Sequence, residues 1–321
     1  MYCIYHSRDL DGWMSAAIVK KFYNENRYCS VCGHVLPKDW AGSTYCCGGM
    51  TLSNQVDFIG WDYGDPIPNI PKGERVIMAD ISFPSQEMLR LIQENDLIWI
   101  DHHISAINDL AAIMPEYKVG QLHIEGLQDH THAACELTWF YFFQHEPMPE
   151  VVRLLGRYDC FGHKGTEEEL KVLEFQYGAR ANMFDVETCY DVLSKWNSDL
   201  EHTIQTAGYQ IYNYLCVEAE LDYKNIFPIN LAGVRVAAIN KTRFNPINFG
   251  IDYHKNGYDA FLCFWYANGR YNFSLYNDNG EVDCSVICKQ FGGGGHKGAA
   301  GFVSDNLDVL FGYAGIFNPS K

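Results

Sequence analysis

The sequence predicts an α/β protein of two domains. The first is a parallel sheet with helices on both faces, the second a smaller α/β domain, with an active-site cleft between them. Three observations carry this. Apolar runs alternate with segments of helical periodicity through the first half of the chain. Three of those runs end in an acid or a histidine, and after about residue 222 the pattern becomes strand-like. Alternating strand and helix argues for βαβ units. In such open sheets, chemistry sits at the carboxyl ends of the strands.

The elements follow in order. Residues 2–6 read as a strand ending at His6, and 12–23 as a helix with Met14, Ala17, Ile18 and Phe22 roughly on one face. Residues 26–55 change character, rich in Cys, Gly and Ser, and read as an insertion. Strands are expected over 56–61, 76–79 and 97–100, with helix-start signals at Ser82 and Pro84. Helices are expected over 133–143 and 151–158, and Thr166 to Glu169 fits a capping box before another. Residues 196–222 read as a long bridging helix, its apolar positions spaced by three or four. Strands over 234–239, 260–266 and 271–276 belong to the second domain. The boundaries are therefore 1–195, the bridge 196–222, and 223–321.

A chain of 321 residues with 47% apolar content can bury two cores. Its formal charge of −16 argues against a protein that tracks long duplex DNA through a basic groove. Short anionic substrates stay open, because bound cations supply local positive charge. No apolar run of about 18 residues marks a membrane span. With the first strand starting at Tyr2, there is no room for a signal peptide. Twelve cysteines without a leader fit a reducing cytoplasm, most of them as small core residues.

The chemistry concentrates in His6, Asp9, Asp11, Asp80, His102 and Asp159. Singly, each reads as well as a strand-end cap or turn residue. Together, several carboxylates and imidazoles cannot sit bare in a cleft, because like charges repel and desolvation is costly. A pair of divalent cations relieves both problems and suits phosphoryl transfer. Mixed Asp and His ligands favour a hard or borderline cation such as Mn²⁺.

These residues also carry a resemblance. The stretch His6-Ser7-Arg8-Asp9-Leu10-Asp11-Gly12, then Ala79-Asp80-Ile81-Ser82, then Asp101-His102-His103, resembles the DHH phosphoesterase superfamily. Gly156-Arg157-Tyr158-Asp159 is similar to its fourth motif, and Thr131-His132-Ala133-Ala134-Cys135-Glu136-Leu137 to its helix after the DHH strand. The segment from Phe291 through Gly292, Gly293, Gly294, Gly295, His296 and Lys297 to Phe302 resembles the glycine-rich motif of the type-1 DHH-associated domain. The motifs span roughly residues 2–302 in the family's order.

The resemblance implies a dimanganese phosphoesterase, with Mg²⁺ or Co²⁺ as substitutes. His6, Asp9 and Asp80 would hold one metal, and Asp11, Asp80, His102 and Asp159 the other. Asp80 would bridge them. His103, with Asp80 counted as catalytic, would touch the substrate phosphate or its leaving group. Adjacent residues in a loop cannot easily both ligate one ion, which agrees with that division. A homodimer also fits the resemblance.

Four glycines permit positive φ and close backbone approach, and their N–H groups can form an anion-binding concavity. Gly293, Gly294, Gly295 and His296 are the expected substrate contacts, against the plainer reading of a flexible turn. The family's Arg-Ser pair is absent: Phe273-Ser274-Leu275 is followed by Tyr276-Asn277, and the tyrosine is a candidate base-stacker. Tyr266, Tyr271 and Phe273 fit a stacking surface or plain strand alternation equally well.

Cys29 and Cys32 form a Cys-x-x-Cys knuckle, and Cys46-Cys47 supply a second thiol pair. A structural zinc ribbon would staple an insertion with little apolar content. The adjacent thiols weigh against zinc, and free thiols in a loop fit as well, with redox chemistry third. His34 can replace one of the paired cysteines. His130 and His132 read as solvated loop residues, and His163 and His254 are unassigned.

The leading expectation is a two-metal phosphodiesterase that uses metal-activated water to cut short single-stranded RNA or DNA, or linear or cyclic dinucleotides, to 5′-mononucleotides. A polyphosphatase or nucleotide phosphomonoesterase is the first alternative. A non-catalytic nucleotide sensor is the second, disfavoured by the complete ligand set.

Overall fold

The computed structural model describes residues 1–29, 35–37, 45–46, 50–53, 55–114, 124–242 and 244–311. The chain divides into two compact units, Met1–Gln210 and Ile211–Lys321.

The first unit opens with strand β1 (Tyr2–His6) and helix α1 (Leu10–Glu25). The backbone then forms short strands β2 (Asn26–Cys29), β3 (Val35–Pro37), β4 (Tyr45–Cys46) and β5 (Met50–Ser53), in the order β3-β2-β5-β4. Next come β6 (Asp57–Trp61), β7 (Arg75–Ala79), α2 (Ser85–Glu94), β8 (Asp96–Asp101), α3 (Ile104–Ile113) and β9 (Glu125–Gln128). Helices α4 (Ala134–Phe142), α5 (Glu150–Asp159), α6 (Glu169–Asn182) and α7 (Val186–Ser194) follow.

The main sheet has the order β6-β1-β7-β8-β9, and every pair in it is parallel. Strand alternation splits its side chains between two cores. Cys3, Ile77, Ile98 and Ile100 pack with Met14, Ile18 and Val152 on one face. Ile4, Val76, Met78, Leu97 and Trp99 pack with Met88, Leu91 and Leu110 on the other. Both faces are covered by helices, which is why these strands read as continuous apolar runs. Each fully buried aliphatic side chain contributes about 1.5–3 kcal/mol relative to exposure.

The chain runs from β1 outward to β6, then returns to β7 on the other side of β1. That reversal places the topological switch at β1 and β7, where open α/β sheets bind ligands. The strands end there in His6, in Ala79 followed by Asp80, and in Asp101.

One expectation fails locally. The helix after Thr166 starts only at Glu169, so no capping box forms. The Thr166 hydroxyl donates instead to the His163 carbonyl at 2.6 Å, and Glu169 accepts from the Gly165 N–H at 2.8 Å. Both polar groups are consumed closing the preceding turn.

Helix α8 (Ser198–Tyr223) is capped by Asn197, which accepts from the N–H groups of Asp199 and Leu200 at 3.0 and 2.9 Å. The division between units falls inside it. The second unit holds β10 (Phe227–Leu231), β11 (Val234–Asn240), β12 (Ala260–Ala267), β13 (Arg270–Tyr276), α9 (Cys284–Lys289), β14 (Gly294–Gly295), β15 (Ala299–Ser304) and α10 (Asp308–Phe311). Its mixed sheet has the order β10-β11-β12-β13-β15-β14. Among the described residues no helix is long and apolar enough to cross a membrane.

Candidate functional site

His6 leaves β1 and the chain turns at once into α1. Asp9 caps that helix, its Oδ1 accepting from the Gly12 N–H at 3.0 Å. The approach is close: a Cβ on Gly12 would lie 2.1 Å from the His6 carbonyl oxygen. Only glycine permits it. Asp9 Oδ2 then lies 2.9 Å from His6 Nδ1.

Asp11, one turn on, points into the protein. Its two oxygens accept from the N–H groups of Ala134 and Cys135 at 2.9 and 2.8 Å. It caps α4 from 123 residues away, against the positive end of that helix. Ala133 has no side-chain acceptor of its own with which to do this.

Asp80 follows β7 with φ at +62°, a left-handed conformation rare outside glycine. Such strain clusters at functional sites. Asp80 is 1% exposed and stands between two imidazoles. Its Oδ2 lies 3.5 Å from His6 Nδ1, and its Oδ1 lies 3.2 Å from His102 Nε2. His102 Nε2 also lies 3.6 Å from Asp11 and 3.4 Å from Asp159, the last residue of α5.

The structure thus brings together His6, Asp9, Asp11, Asp80, His102 and Asp159, as the spacing predicts. They form two trios, His6/Asp9/Asp80 and Asp11/Asp80/His102, with the ligand atoms of each within 4.8 Å of one another. Asp80 belongs to both.

The electrostatics are unbalanced without cations. Burial, with Asp80 and Asp159 nearby, pushes the Asp11 carboxyl well above its ordinary range. Burial and the Asp80 and Asp9 charges, against the pull of His102, push Asp159 up to about 6. Burial opposes a charge on Asp80, yet the His102 and His6 imidazoles beside it hold it below the usual carboxylate range. Burial also disfavours charge on both imidazoles, and the surrounding carboxylates outweigh it, raising His6 and His102. His6 Nδ1 and Asp80 Oδ1 are buried and make no hydrogen bond. Buried ligand-type atoms left without hydrogen bonds inside one carboxylate–imidazole cluster fit a divalent cation.

His103 stands beside this cluster. Asp101, fully buried, accepts from His103 Nδ1 at 2.7 Å and from its N–H at 3.0 Å, and from Trp99 Nε1 at 3.2 Å. The first letter of the Asp-His-His run therefore orients the third.

Sequence reading missed Asp62. It sits just past β6, 3.4 Å from His6 Nε2 and 2.6 Å from Arg8 Nε. Burial opposes its charge, but His6 and Arg8 hold its carboxyl down to about 2. The signal was available, since Asp62 ends an apolar run as Asp80 does.

The glycine segment closes several of its N–H groups on its own chain. Gly292 N–H donates to Lys289 at 3.1 Å, Gly293 N–H to Cys288 at 2.9 Å, and His296 N–H to Ala299 at 2.8 Å. Gly294 and Gly295 pair with Gly301 and Ala300 of β15. Those three N–H groups are not open to an anion. Phe273 is 2% exposed, so it offers no stacking face, and Tyr276 packs against the Tyr253/Phe261 core. Tyr266 and Tyr271 pair across strands at 4.9 Å. His132 bonds Asp129 at 3.2 Å and His130 is exposed, as solvated loop residues do.

The zinc reading falls outside the described residues: Cys32 and Cys47 lie there entirely, and of Cys29 and Cys46 only the strand backbone is described.

No protein-family profile matches the chain. An uncharacterized protein of Acanthamoeba polyphaga mimivirus is 25% identical over 329 residues, covering 95% of this chain and 67% of that protein. Among solved structures, an exopolyphosphatase-related protein from Bacteroides fragilis superposes with a TM-score of 0.52 at 14% identity, covering 98% of this chain and 90% of that one. The DHH domain of a member of a ribosomal-protein family gives 0.50 at 14% identity, over 94% and 82% of the two chains. With the Asp-His-His segment and its partner motifs gathered at one sheet edge, the chain has the fold of the DHH-domain proteins.

Proposed function

We propose that the chain is a two-cation phosphodiesterase that releases 5′-mononucleotides from short oligonucleotides or from linear or cyclic dinucleotides. The observation that carries this reading is the pair of ligand trios sharing Asp80. His6, Asp9 and Asp80 would hold one cation; Asp11, Asp80, His102 and Asp159 the other. Mn²⁺ suits this oxygen and imidazole set. When bound, two such cations offset the carboxylate charge, lower the pKa of water and polarise a phosphoryl oxygen.

The chain's own residues supply the rest. Asp80 is fixed by its backbone conformation between both imidazoles. Asp11 is fixed at the start of α4. Asp101 orients the His103 ring through Nδ1, as suits a residue that meets the substrate phosphate or protonates its leaving group. The raised His103 pKa fits a proton donor: burial lowers it, and Asp101 more than restores it. The acidic net charge favours short substrates.

The likeness to an exopolyphosphatase-related protein supports a second reading, hydrolysis of phosphoanhydrides. One experiment separates the two. The chain is incubated with Mn²⁺ and either a 5′-phosphorylated dinucleotide or inorganic polyphosphate, and products are resolved by chromatography. Mononucleotide release that EDTA abolishes is the expected result. Phosphate release from polyphosphate alone would replace the first reading with the second.

A further inference from the structure

We propose that Arg8 and Tyr63 form a nucleoside-phosphate subsite beside the carboxylate–imidazole cluster, the guanidinium taking a phosphate and the phenol ring stacking on the base. This rests on the phosphodiesterase reading and names what that site recognises.

Arg8 lies between His6 and Asp9 in sequence, and its side chain is 53% exposed. Its Nε donates to Asp62 Oδ2 at 2.6 Å. The other oxygen of Asp62 accepts from the Tyr63 N–H at 2.9 Å and faces His6 Nε2 at 3.4 Å. One carboxylate therefore fixes the arginine, the tyrosine backbone and an imidazole of the cluster relative to one another. The Asp62 bond uses one of the five guanidinium donors, and the planar fork matches a phosphate. A guanidinium at the rim of this cluster is placed to meet an anionic substrate.

Tyr63 is 55% exposed. Exposure alone is ordinary here, since Phe184 and Phe311 are more exposed. Tyr63 differs in being fixed. Its ring meets Trp61 edge-on at 5.6 Å and lies 6.3 Å from the His6 ring. Its backbone N–H is held by Asp62 at 2.9 Å. A ring braced at its edge by Trp61 and anchored through its backbone by Asp62, with open surface remaining, is a preorganised platform. Base-on-aromatic stacking contributes about 1–3 kcal/mol per base. A polyphosphate has no base to use it.

The test uses the full chain with Mn²⁺ and calorimetric titration of two ligands, 5′-AMP and ribose 5-phosphate, which share the phosphate and differ in the base. The native chain should bind 5′-AMP at least about fivefold more tightly, the lower end of a stacking contribution. Tyr63→Ala should erase that preference and leave ribose 5-phosphate binding unchanged, while Tyr63→Phe keeps it. Arg8→Ala should weaken both ligands by the same factor, with partial recovery in Arg8→Lys. Equal binding of the two ligands by the native chain, binding of neither, or a preference that survives Tyr63→Ala would overturn the subsite. Dinucleotide turnover is scored separately. Turnover without base preference sinks the subsite alone; base preference without turnover sinks the phosphodiesterase reading alone.

Discussion

The sheet edge of the first unit and the glycine loop of the second were both marked by sequence motifs, yet they differ in how their polar groups are satisfied. At the sheet edge, Asp80 is strained, buried and shared between two imidazoles, and His6 Nδ1 and Asp80 Oδ1 lack hydrogen bonds. In the glycine loop, the N–H groups of Gly292, Gly293 and His296 close on neighbouring carbonyls. The first region is poised for something the polypeptide does not itself provide. The second satisfies those N–H groups within its own chain. A motif's residue types thus say less about function than whether the fold leaves its polar atoms satisfied.

The largest test of this contrast is Asp80→Ala. Loss of an outer partner of a metal ligand costs about 10–100-fold. Loss of a residue shared by both trios should exceed that in dinucleotide turnover and remove the stabilisation that Mn²⁺ gives in thermal melts. A variant that keeps full turnover would refute the assignment. The same cluster predicts a pH dependence. A cation must displace the protons held on Asp159, pushed up to about 6, on Asp11, and on the raised His6 and His102. Mn²⁺ affinity should therefore rise as pH increases through about 6 and keep rising above it. A flat profile between pH 5.5 and 7.5 would contradict the proton-loaded cluster.

Much of this was legible in the sequence, and the reasons are physical. Apolar runs over β1, β7 and β8 mark strands buried on both faces, and a strand-end acid has only the sheet edge to occupy. His6, Asp80 and His102 follow from that rule. Applied to β6, it would also have found Asp62. The Asp11 contact with α4 was hidden, because its partners lie 123 residues away and are backbone N–H groups that no residue type announces. Tyr63 was hidden because an exposed aromatic in a loop looks like any other until its neighbours are known. What the glycine loop does with its N–H groups was hidden, because composition reports backbone freedom, not which carbonyls take them up.

Gly293 sharpens the packing side of the comparison. A Cβ there would lie 2.0 Å from the Gly301 carbonyl oxygen and 2.6 Å from Phe302 Cβ. Gly293→Ala should destabilise the chain by about 1–3 kcal/mol, the usual cost of overpacking, read by denaturant melts. An unchanged midpoint would mean the loop is looser than its hydrogen bonds imply.

Asp159→Asn tests the opposite side with a smaller effect. In the metal-free chain, the folded-state pKa of Asp159 lies near 6, above the ordinary value of 3.8. The folded protein keeps a proton that the unfolded chain releases, so this carboxyl begins to cost stability as pH rises past its ordinary value. The cost is complete above about 6. The asparagine variant should be more stable than the native chain at pH 7 without metal, with the gain vanishing near pH 4. Mn²⁺ should reverse the order, because the variant loses a ligand. A variant less stable than the native chain in both conditions would show that Asp159 contributes through packing instead.

Gly294 gives the finest cut, because it sits in the same loop as Gly293 with opposite surroundings. No atom lies within 4 Å of the position a Cβ would take, and its φ is not in the left-handed region. Gly294→Ala should change stability by less than about 0.5 kcal/mol. A methyl group there projects into open space, where the resemblance placed a substrate contact. If the loop meets substrate through that surface, the variant raises KM for a dinucleotide and leaves kcat and the melting midpoint alone. If KM does not move, the loop is a packing device throughout, and recognition falls to the sheet edge of the first unit, where Arg8 and Tyr63 stand.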